Sequence, residues 1–422
     1  MQQASSREGV VLPMGLEPKS YACVRSIARN GLKPVVASEY EHVPAAHSRF
    51  CSECVRLPAP DEDLLAYRDA LLELASRPDI STILPLRCRD TYLFSKYQSA
   101  FEEHVSLVTP PMETLRTVHD RLQLVAAAEN AGVPVPESCL LSELRDRDRE
   151  IVIKSRYNLL VSEYLDAYSE TESATTDTVF HCARDEPLDR ERVRTTVGHD
   201  PIVQEFIPSR NEYLFGAVCD HGTPLATFQH RQIRGDSYTG GGGVYRETTA
   251  IPELEQVGRK LLEAIDYHGV ACIEYMKHAE TGEFYLTEIN PRFWQSVPCA
   301  IRAGAEFPWY YYLQAVDRAD RIDPNYQVGV GTHQLYGEAM YLQSLLTDDT
   351  SVVERPSFPG AVLEIARSCL KQPRFDDFRL DDPMPFLLSL GHFCWKGTHA
   401  ISQASDEATG SAVQTVSEPA TD

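Results

Sequence analysis

Ile273-Glu274-Tyr275-Met276, a turn through His278-Ala279-Glu280-Thr281-Gly282-Glu283, and then Tyr285-Leu286-Thr287-Glu288-Ile289-Asn290-Pro291-Arg292 form the stretch that decides the fold. Two strands are expected, at 270–276 and 284–289, with the turn centred near Glu280 and Thr281. That centring sets Glu274 opposite Thr287 or Glu288. Alternate side chains of an extended backbone share a face, so Glu288, Asn290 and Arg292 project together. Two carboxylates and an amide oxygen therefore converge on one side of a sheet. Acids are common on solvated hairpins, but the flanking Val270, Ala271, Cys272, Leu286, Ile289, Phe293 and Trp294 predict burial, where unpartnered acids are costly. Carboxylates this close repel unless a cation separates them. An all-oxygen ligand set favours Mg²⁺ or Mn²⁺, held by Glu274, Glu288 and Asn290.

Working upstream, strands are expected at 201–207, 213–219 and 227–233, and a helix at 253–267. Lys154 ends a strand at 151–154, where an ammonium could meet phosphate. Arg231 and Arg234 stand just before Gly240-Gly241-Gly242-Gly243. Guanidinium forks suit phosphate oxygens, and glycines let backbone amides approach an anion. Within the first hundred residues short apolar runs alternate with helical stretches, which argues for an open parallel α/β sheet. The turn after its first strand, Met14-Gly15-Leu16-Glu17, lacks GxGxxG, so a nicotinamide or flavin site has no support. A helix is expected over 113–132, closed by Gly132. Residues 155–200 are polar and read as a mobile segment or an elaboration of a small domain. No motif is legible in 321–400.

The chain has 422 residues, which implies two to three packed units. Its 43% hydrophobic and 24% charged residues are ordinary for a globular protein. No apolar run approaches the length of a spanning helix, and the first residues lack a signal-peptide pattern, so a cytoplasmic location without membrane partners is expected. The 40 basic and 62 acidic residues give a net charge of −22, which disfavours nucleic acid as a partner. With 8 Lys, 32 Arg and abundant acids, the composition resembles a halophilic protein, whose surface repulsion molar salt screens. The eleven cysteines are scattered as reduced thiols would be, and Cys51-Ser-Glu-Cys54 lacks the second pair a zinc site needs. The acidic stretch 402–422, free of Lys and Arg, reads as a disordered tail.

The order Ile153-Lys154, Gln204-Glu205-Phe206-Ile207-Pro208 with Glu212, Arg231, Arg234 and the glycine run, Glu274, and finally Glu288-Ile289-Asn290-Pro291-Arg292 resembles the ATP-grasp superfamily, carboxylate–amine ligase type. The resemblance covers roughly residues 1–320. It implies an α/β fold: an N-terminal Rossmann-like domain (1–110), a linker helix with the small ATP-grasp lobe (111–200), a large lobe with the Mg-ATP site (201–320) and a C-terminal extension (321–401). It further implies an ATP-dependent ligase that activates a carboxylate as acyl phosphate and joins it to an amine. By resemblance Lys154 contacts phosphates. Gln204, Glu205, Phe206 and Ile207 form the adenine hinge, and Glu212 binds ribose. Glu274, Glu288 and Asn290 hold Mg²⁺, while Arg292, with Arg231 or Arg234, stabilises the transferring phosphoryl group. Partners would be ATP and small carboxylate and amine substrates, with a homodimer as the assembly to test. The pattern departs in three places: Arg121 follows Asp120 where Lys is usual, no Gly-rich lid follows Lys154, and Ser209 replaces the Gly after the hinge. The competing readings are an ATP-grasp ligase with a non-amine acceptor and a nucleotide-binding regulatory protein without turnover.

Overall fold

A computed structural model describes residues 7–391 except 146, 147, 177, 185, 186 and 349–353, and the side chain of Arg210. The tail expected at 402–422 lies outside the described residues. The first sheet is built from four short runs, of which 9–13, 34–38 and 80–83 are buried on both faces and 53–56 is largely exposed. β1 (Gly9–Pro13) leads through α1 (Pro18–Arg29) to β2 (Lys33–Ser38), β3 (Glu53–Arg56), α2 (Leu64–Ala75) and β4 (Ile80–Ile83). The strands are parallel, in the order β3-β2-β1-β4. Val10 and Leu12 enter one core while Val11 enters another, so helices cover both sheet faces. α2 starts where Asp63 accepts from the Leu65 and Ala66 amides.

α3 (Cys88–Lys96) and α4 (Gln98–Glu102) follow. The helix expected over 113–132 is two helices, α5 (Met112–His119) and α6 (Arg121–Asn130). Asp120 breaks it: its backbone is extended, its side chain caps α6 at the Leu122 amide, and its carboxylate holds Arg156 at 2.6 Å.

A small antiparallel sheet comes next. It contains β5 (Ser138–Leu140), β6 (Ile151–Lys154), β7 (Val179–Cys182) and, after α7 (Arg190–Val197), β8 (Ile202–Glu205), in the order β5-β8-β6-β7. Ile151, Ile153 and Val203 pack under Val193 and Val197 of α7.

The large sheet runs β13-β12-β9-β10-β11-β14. Its members are β9 (Ser209–Asp220), β10 (Thr223–Ser237), β11 (Gly240–Thr249), β12 (Gly269–His278), β13 (Phe284–Asn290) and β14 (Gly331–His333). Tyr213, Phe215, Ile273 and Tyr275 point to the face covered by α8 (Pro252–Ala264). On the other face Leu214, Val218 and Cys272 meet Trp294 and helices α9 (Val297–Arg302) and α10 (Phe307–Ala315). β14 belongs to the region expected as an extension and completes this sheet beside β11. α11 (Leu335–Thr347) and α12 (Phe358–Lys371) then pack on it.

The connection between β6 and β7 corrects the first part of the reading of 155–200, whereas β7 and α7 do belong to the small lobe. The connection is a strap docked on the first sheet's domain, not on the small lobe. Leu159 and Val161 are buried in that domain's core, the Leu64 amide donates to Thr171 O at 2.8 Å, and Ser173 Oγ donates to Pro60 O at 3.1 Å. Among the described residues no helix is long and apolar enough to cross a membrane.

Candidate active site

The β12–β13 register decides which residues meet. Cys272 pairs with Asn290 and Glu274 with Glu288; an irregularity then shifts the register, so Tyr275 pairs with Leu286. The bulge leaves Thr287 as the extra residue, its Oγ1 donating to Glu274 O at 2.7 Å. Glu288 is therefore the carboxylate opposite Glu274. Asn290 Nδ2 donates to Glu288 Oε1 at 2.6 Å, and Arg292 Nη2 donates to Asn290 Oδ1 at 3.1 Å. From α6, Arg121 Nη2 reaches Glu288 Oε2 at 2.7 Å. Lys154, at the end of β6, donates to Thr287 O at 3.4 Å.

The two acids titrate in opposite directions. Burial works against ionising Glu288, but Arg121, Lys154 and the hydrogen bonds from Arg121 and Asn290 hold it below the usual carboxylate range. Depth in the cleft, then the Glu288 and Glu212 carboxylates, push Glu274 upward. Because the Glu274 side chain reaches cleft solvent, repulsion by those neighbours is the part a bound cation removes. Burial and the nearby Arg121 charge push Lys154 down to about 8.

Two adjoining cavities, of about 540 Å³ and 320 Å³, share Glu274, Thr287, Arg292 and Gln295 and form one cleft. The larger is lined by six basic residues (Lys19, Arg87, Arg89, Arg121, Lys154, Arg292) against three acids (Glu17, Glu274, Glu288). A cationic wall inside a chain of charge −22 focuses anions there. Several of these residues escaped the sequence reading. Lys19, in the first turn of α1, pairs with Glu17 at 2.8 Å; the missing glycine signature drew attention away from that turn. Arg87 is fixed by Glu39 at 2.6 Å and Tyr67 at 2.8 Å. Arg121 was legible only as the residue after Asp120.

The smaller cavity is bordered by Glu212, His230, Gln232, Arg246, Trp294 and the glycine run. The glycines serve close packing: a Cβ on Gly243 would meet Gln232 Oε1 at 2.5 Å, and one on Gly241 would collide with Asp236. Burial pushes Glu212 up. His230 has a polar neighbour. Its Nε2 lies 2.6 Å from Ser296 Oγ, and burial with the Arg246 charge pushes it down to about 3, so it is neutral.

Two expected arginines are elsewhere. Arg231 pairs across the sheet with Tyr213 and Glu247, which puts it on the α8 face, opposite Glu274. Arg234 lies beyond an irregularity in β10 and turns to α11 and α12, bonding Glu338 at 2.7 and 2.9 Å and Glu364 at 2.9 Å. The guanidinium that faces the cleft from this part of the sheet is that of Arg246, ion-paired with Asp376. At the expected hinge, Gln204 donates to Ser138 Oγ at 2.9 Å and Glu205 pairs with Arg149 at 3.0 Å; both line a separate cavity of about 210 Å³. The Glu205 and Phe206 amides already bond the Glu137 and Glu150 carbonyls. Ile207 is buried, and Phe206 meets the His181 ring edge-on with centroids 4.9 Å apart.

No protein-family model matches the chain. It is 25% identical over 276 residues to acetyl-CoA carboxylase 2 of Oryza sativa subsp. japonica, a match covering 59% of this chain and 12% of that protein. The chain thus spans only a small part of the curated relatives it matches. Its structure resembles the L-amino acid ligase of Bacillus licheniformis, with a TM-score of 0.57 and 14% identity over 77% of this chain and 79% of that one. It also resembles the biotin carboxylase domain of the 2-oxoglutarate carboxylase of Hydrogenobacter thermophilus, solved with MgADP, ADP and bicarbonate. There the TM-score is 0.57 at 14% identity, covering 76% of this chain and 73% of that one.

Proposed function

On the premise of the ATP-grasp fold that these likenesses show, we propose that the chain is an ATP-dependent ligase that activates a carboxylate as an acyl phosphate and joins it to an amine, releasing ADP and phosphate. The observation that carries the reading is the opposed Glu274–Glu288 pair set into a six-cation wall within one cavity. Acids suited to a divalent cation and bases suited to a polyphosphate share one space.

The donor set fits Mg²⁺ or Mn²⁺: two carboxylates and an amide oxygen on one face, with Glu274 under repulsion that a cation relieves. When bound, the metal would neutralise phosphate charge. The chain's own groups do the rest. Lys154 and Arg121 face the phosphates. Arg292, oriented by Asn290 Oδ1 and Phe293 O, meets the charge that grows on the transferring phosphoryl group and then on the acyl oxyanion. Glu212 is the candidate for the ribose hydroxyls, and Phe206 and Ile207 for packing on adenine. The carboxylate oxygen attacks the γ-phosphorus as the bond to ADP breaks. The amine nitrogen then attacks the acyl carbon, loses a proton, and phosphate leaves. Positioning and electrostatics supply the rate, with no covalent enzyme nucleophile.

A second reading, nucleotide binding without turnover, is favoured by one observation: Arg121 occupies Glu288 Oε2, an oxygen that the ligase reading assigns to the metal. ADP release separates the two. A coupled assay with Mg-ATP and pooled carboxylates and amines, in low and molar KCl, should give ADP only when a matched pair is present. Nucleotide binding by calorimetry with no ADP from any pool refutes the ligase. We further propose a cytoplasmic, salt-adapted enzyme without nucleic-acid or membrane partners; light scattering of the purified chain tests for a homodimer.

A further inference from the structure

Another cavity, of about 220 Å³, lies where α1, α9 and the segment 374–379 meet, and it shares no lining residue with the cleft. Five arginines border it (Arg25, Arg29, Arg302, Arg374, Arg379) against two acids, Glu306 and Asp376. Both acids are already engaged. Glu306 accepts from Ser26 Oγ, and Asp376 is ion-paired with Arg246. Arg25 pairs with Asp381 at 2.7 Å.

Arg29 lies 3.9 Å from the same Asp381 carboxylate, and two of the remaining guanidiniums are bonded to neutral oxygens. Arg302 donates to Phe375 O at 2.7 Å, and Arg374 to Gln372 Oε1 at 2.7 Å. The Nε atoms of Arg302 and Arg379 are buried with no hydrogen-bond partner. Burial, and then neighbouring guanidiniums, push Arg379 down to about 10, and Arg302 shifts the same way. Like charges gathered around one cavity, with donors left unbonded, are an arrangement that a bound anion stabilises. The cavity is several times the roughly 30 Å³ that a water molecule occupies in the liquid.

We propose that this cavity binds a small phosphate-class anion, either inorganic phosphate or the phosphoryl group of a small molecule, at a site separate from the nucleotide cleft. Guanidinium forks from α9 and from the 374–379 segment would grip phosphate oxygens in parallel pairs. The anion would clamp α1, whose first turn carries Lys19 into the cleft, against the C-terminal segment that buries Asp382 beneath Ser48.

The test uses the full chain with a saturating non-hydrolysable Mg-ATP analogue, whose γ-phosphoryl group fills the cleft so that phosphate cannot report from there. Inorganic phosphate and glycerol phosphate are titrated separately by calorimetry and thermal melting, with chloride at matched ionic strength as control. The wild type should bind one equivalent and melt higher with at least one of the two ligands. Binding of phosphate alone identifies the free ion, and tighter binding of the ester a phosphorylated metabolite. Arg379→Gln should weaken binding at least tenfold, yet melt no lower than wild type in phosphate-free buffer, because a repelling charge is gone. Arg374→Gln provides a second variant should Arg379→Gln not fold. Glu288→Gln, which alters the cleft, should keep the phosphate response. The proposal is overturned if neither ligand binds with the cleft filled, if chloride stabilises equally, or if Glu288→Gln loses the response while Arg379→Gln keeps it.

Discussion

Replacing Glu288 by Gln separates loss of the proposed metal site from loss of the fold. Both Glu288 oxygens accept a hydrogen bond, Oε2 from Arg121 at 2.7 Å and Oε1 from Asn290 at 2.6 Å. An amide presents one acceptor and one donor, so its NH₂ must face one of those donors. The loss is one charge-assisted hydrogen bond, about 1.5–3 kcal/mol, partly offset because Glu274 no longer faces a second carboxylate. For about 400 residues melting as one unit, 1 kcal/mol moves Tm by roughly 1 °C, so the variant should melt within about 3 °C of wild type at pH 7. Activity should respond on another scale. Removing a proposed metal ligand and an anionic partner of Lys154 should cost about 1,000-fold in ADP release, or ~4 kcal/mol of transition-state stabilisation. Thermal melting with EDTA and with Mg²⁺, together with the coupled ADP assay, reads both. Wild-type should gain stability with Mg²⁺ and the variant should not. A folded Glu288→Gln protein with ADP release within fivefold of wild type and an unchanged Mg²⁺ response refutes the metal assignment.

Other perturbations reach different parts of the argument. Lys154 sits near 8 in the free protein, so Mg-ATP affinity measured by calorimetry should weaken as pH rises through 8, and Lys154→Ala should lose at least tenfold affinity with little further pH dependence. Burial, then the Asp376 charge, pushes Asp377 up to about 7. The folded state therefore keeps that proton to higher pH than the unfolded chain, and stability falls as pH climbs from about 4 through 7. Asp377→Asn should raise stability by roughly 2–4 kcal/mol at pH 8 and by nothing near pH 4, read as Tm across that range. Leu159→Ala should cost ~2–5 kcal/mol because the strap fills the first domain's core, whereas a free lid would melt unchanged. Arg234→Met should lower Tm while leaving kcat near wild type, because its partners are Glu338 and Glu364 and not a substrate.

What could be read from the sequence was local and periodic. The hairpin was legible because alternation and a polar turn state its geometry, and Glu274, Glu288 and Asn290 lie on one face as that alternation requires. The choice between Thr287 and Glu288 was not legible, since a one-residue bulge decides it. Arg231 and Arg234 were attached to the cleft by nearness to glycines in the sequence. Strand register, a non-local property, sends the first to the α8 face and the second to α11. The strap was opaque for the same reason: Leu159 and Val161 are two apolar residues in a polar stretch, and the core they enter is built from side chains between Val11 and Leu115. Asp120 could have been recognised as a helix break, since Asp is a strong N-cap residue. Lys19 and Arg87 carry no local mark of a site, and only the fold brings them to Arg292.

The most direct measurement follows oxygen. A carboxylate that supports ADP release is labelled with ¹⁸O and incubated with the protein, Mg-ATP and the amine, and the released phosphate is analysed by mass spectrometry. Attack by the carboxylate on the γ-phosphorus transfers one ¹⁸O to each phosphate formed with amide. Phosphate that carries no label while ADP accumulates would mean that water, not a carboxylate, receives the phosphoryl group, and the acyl-phosphate ligase would be wrong.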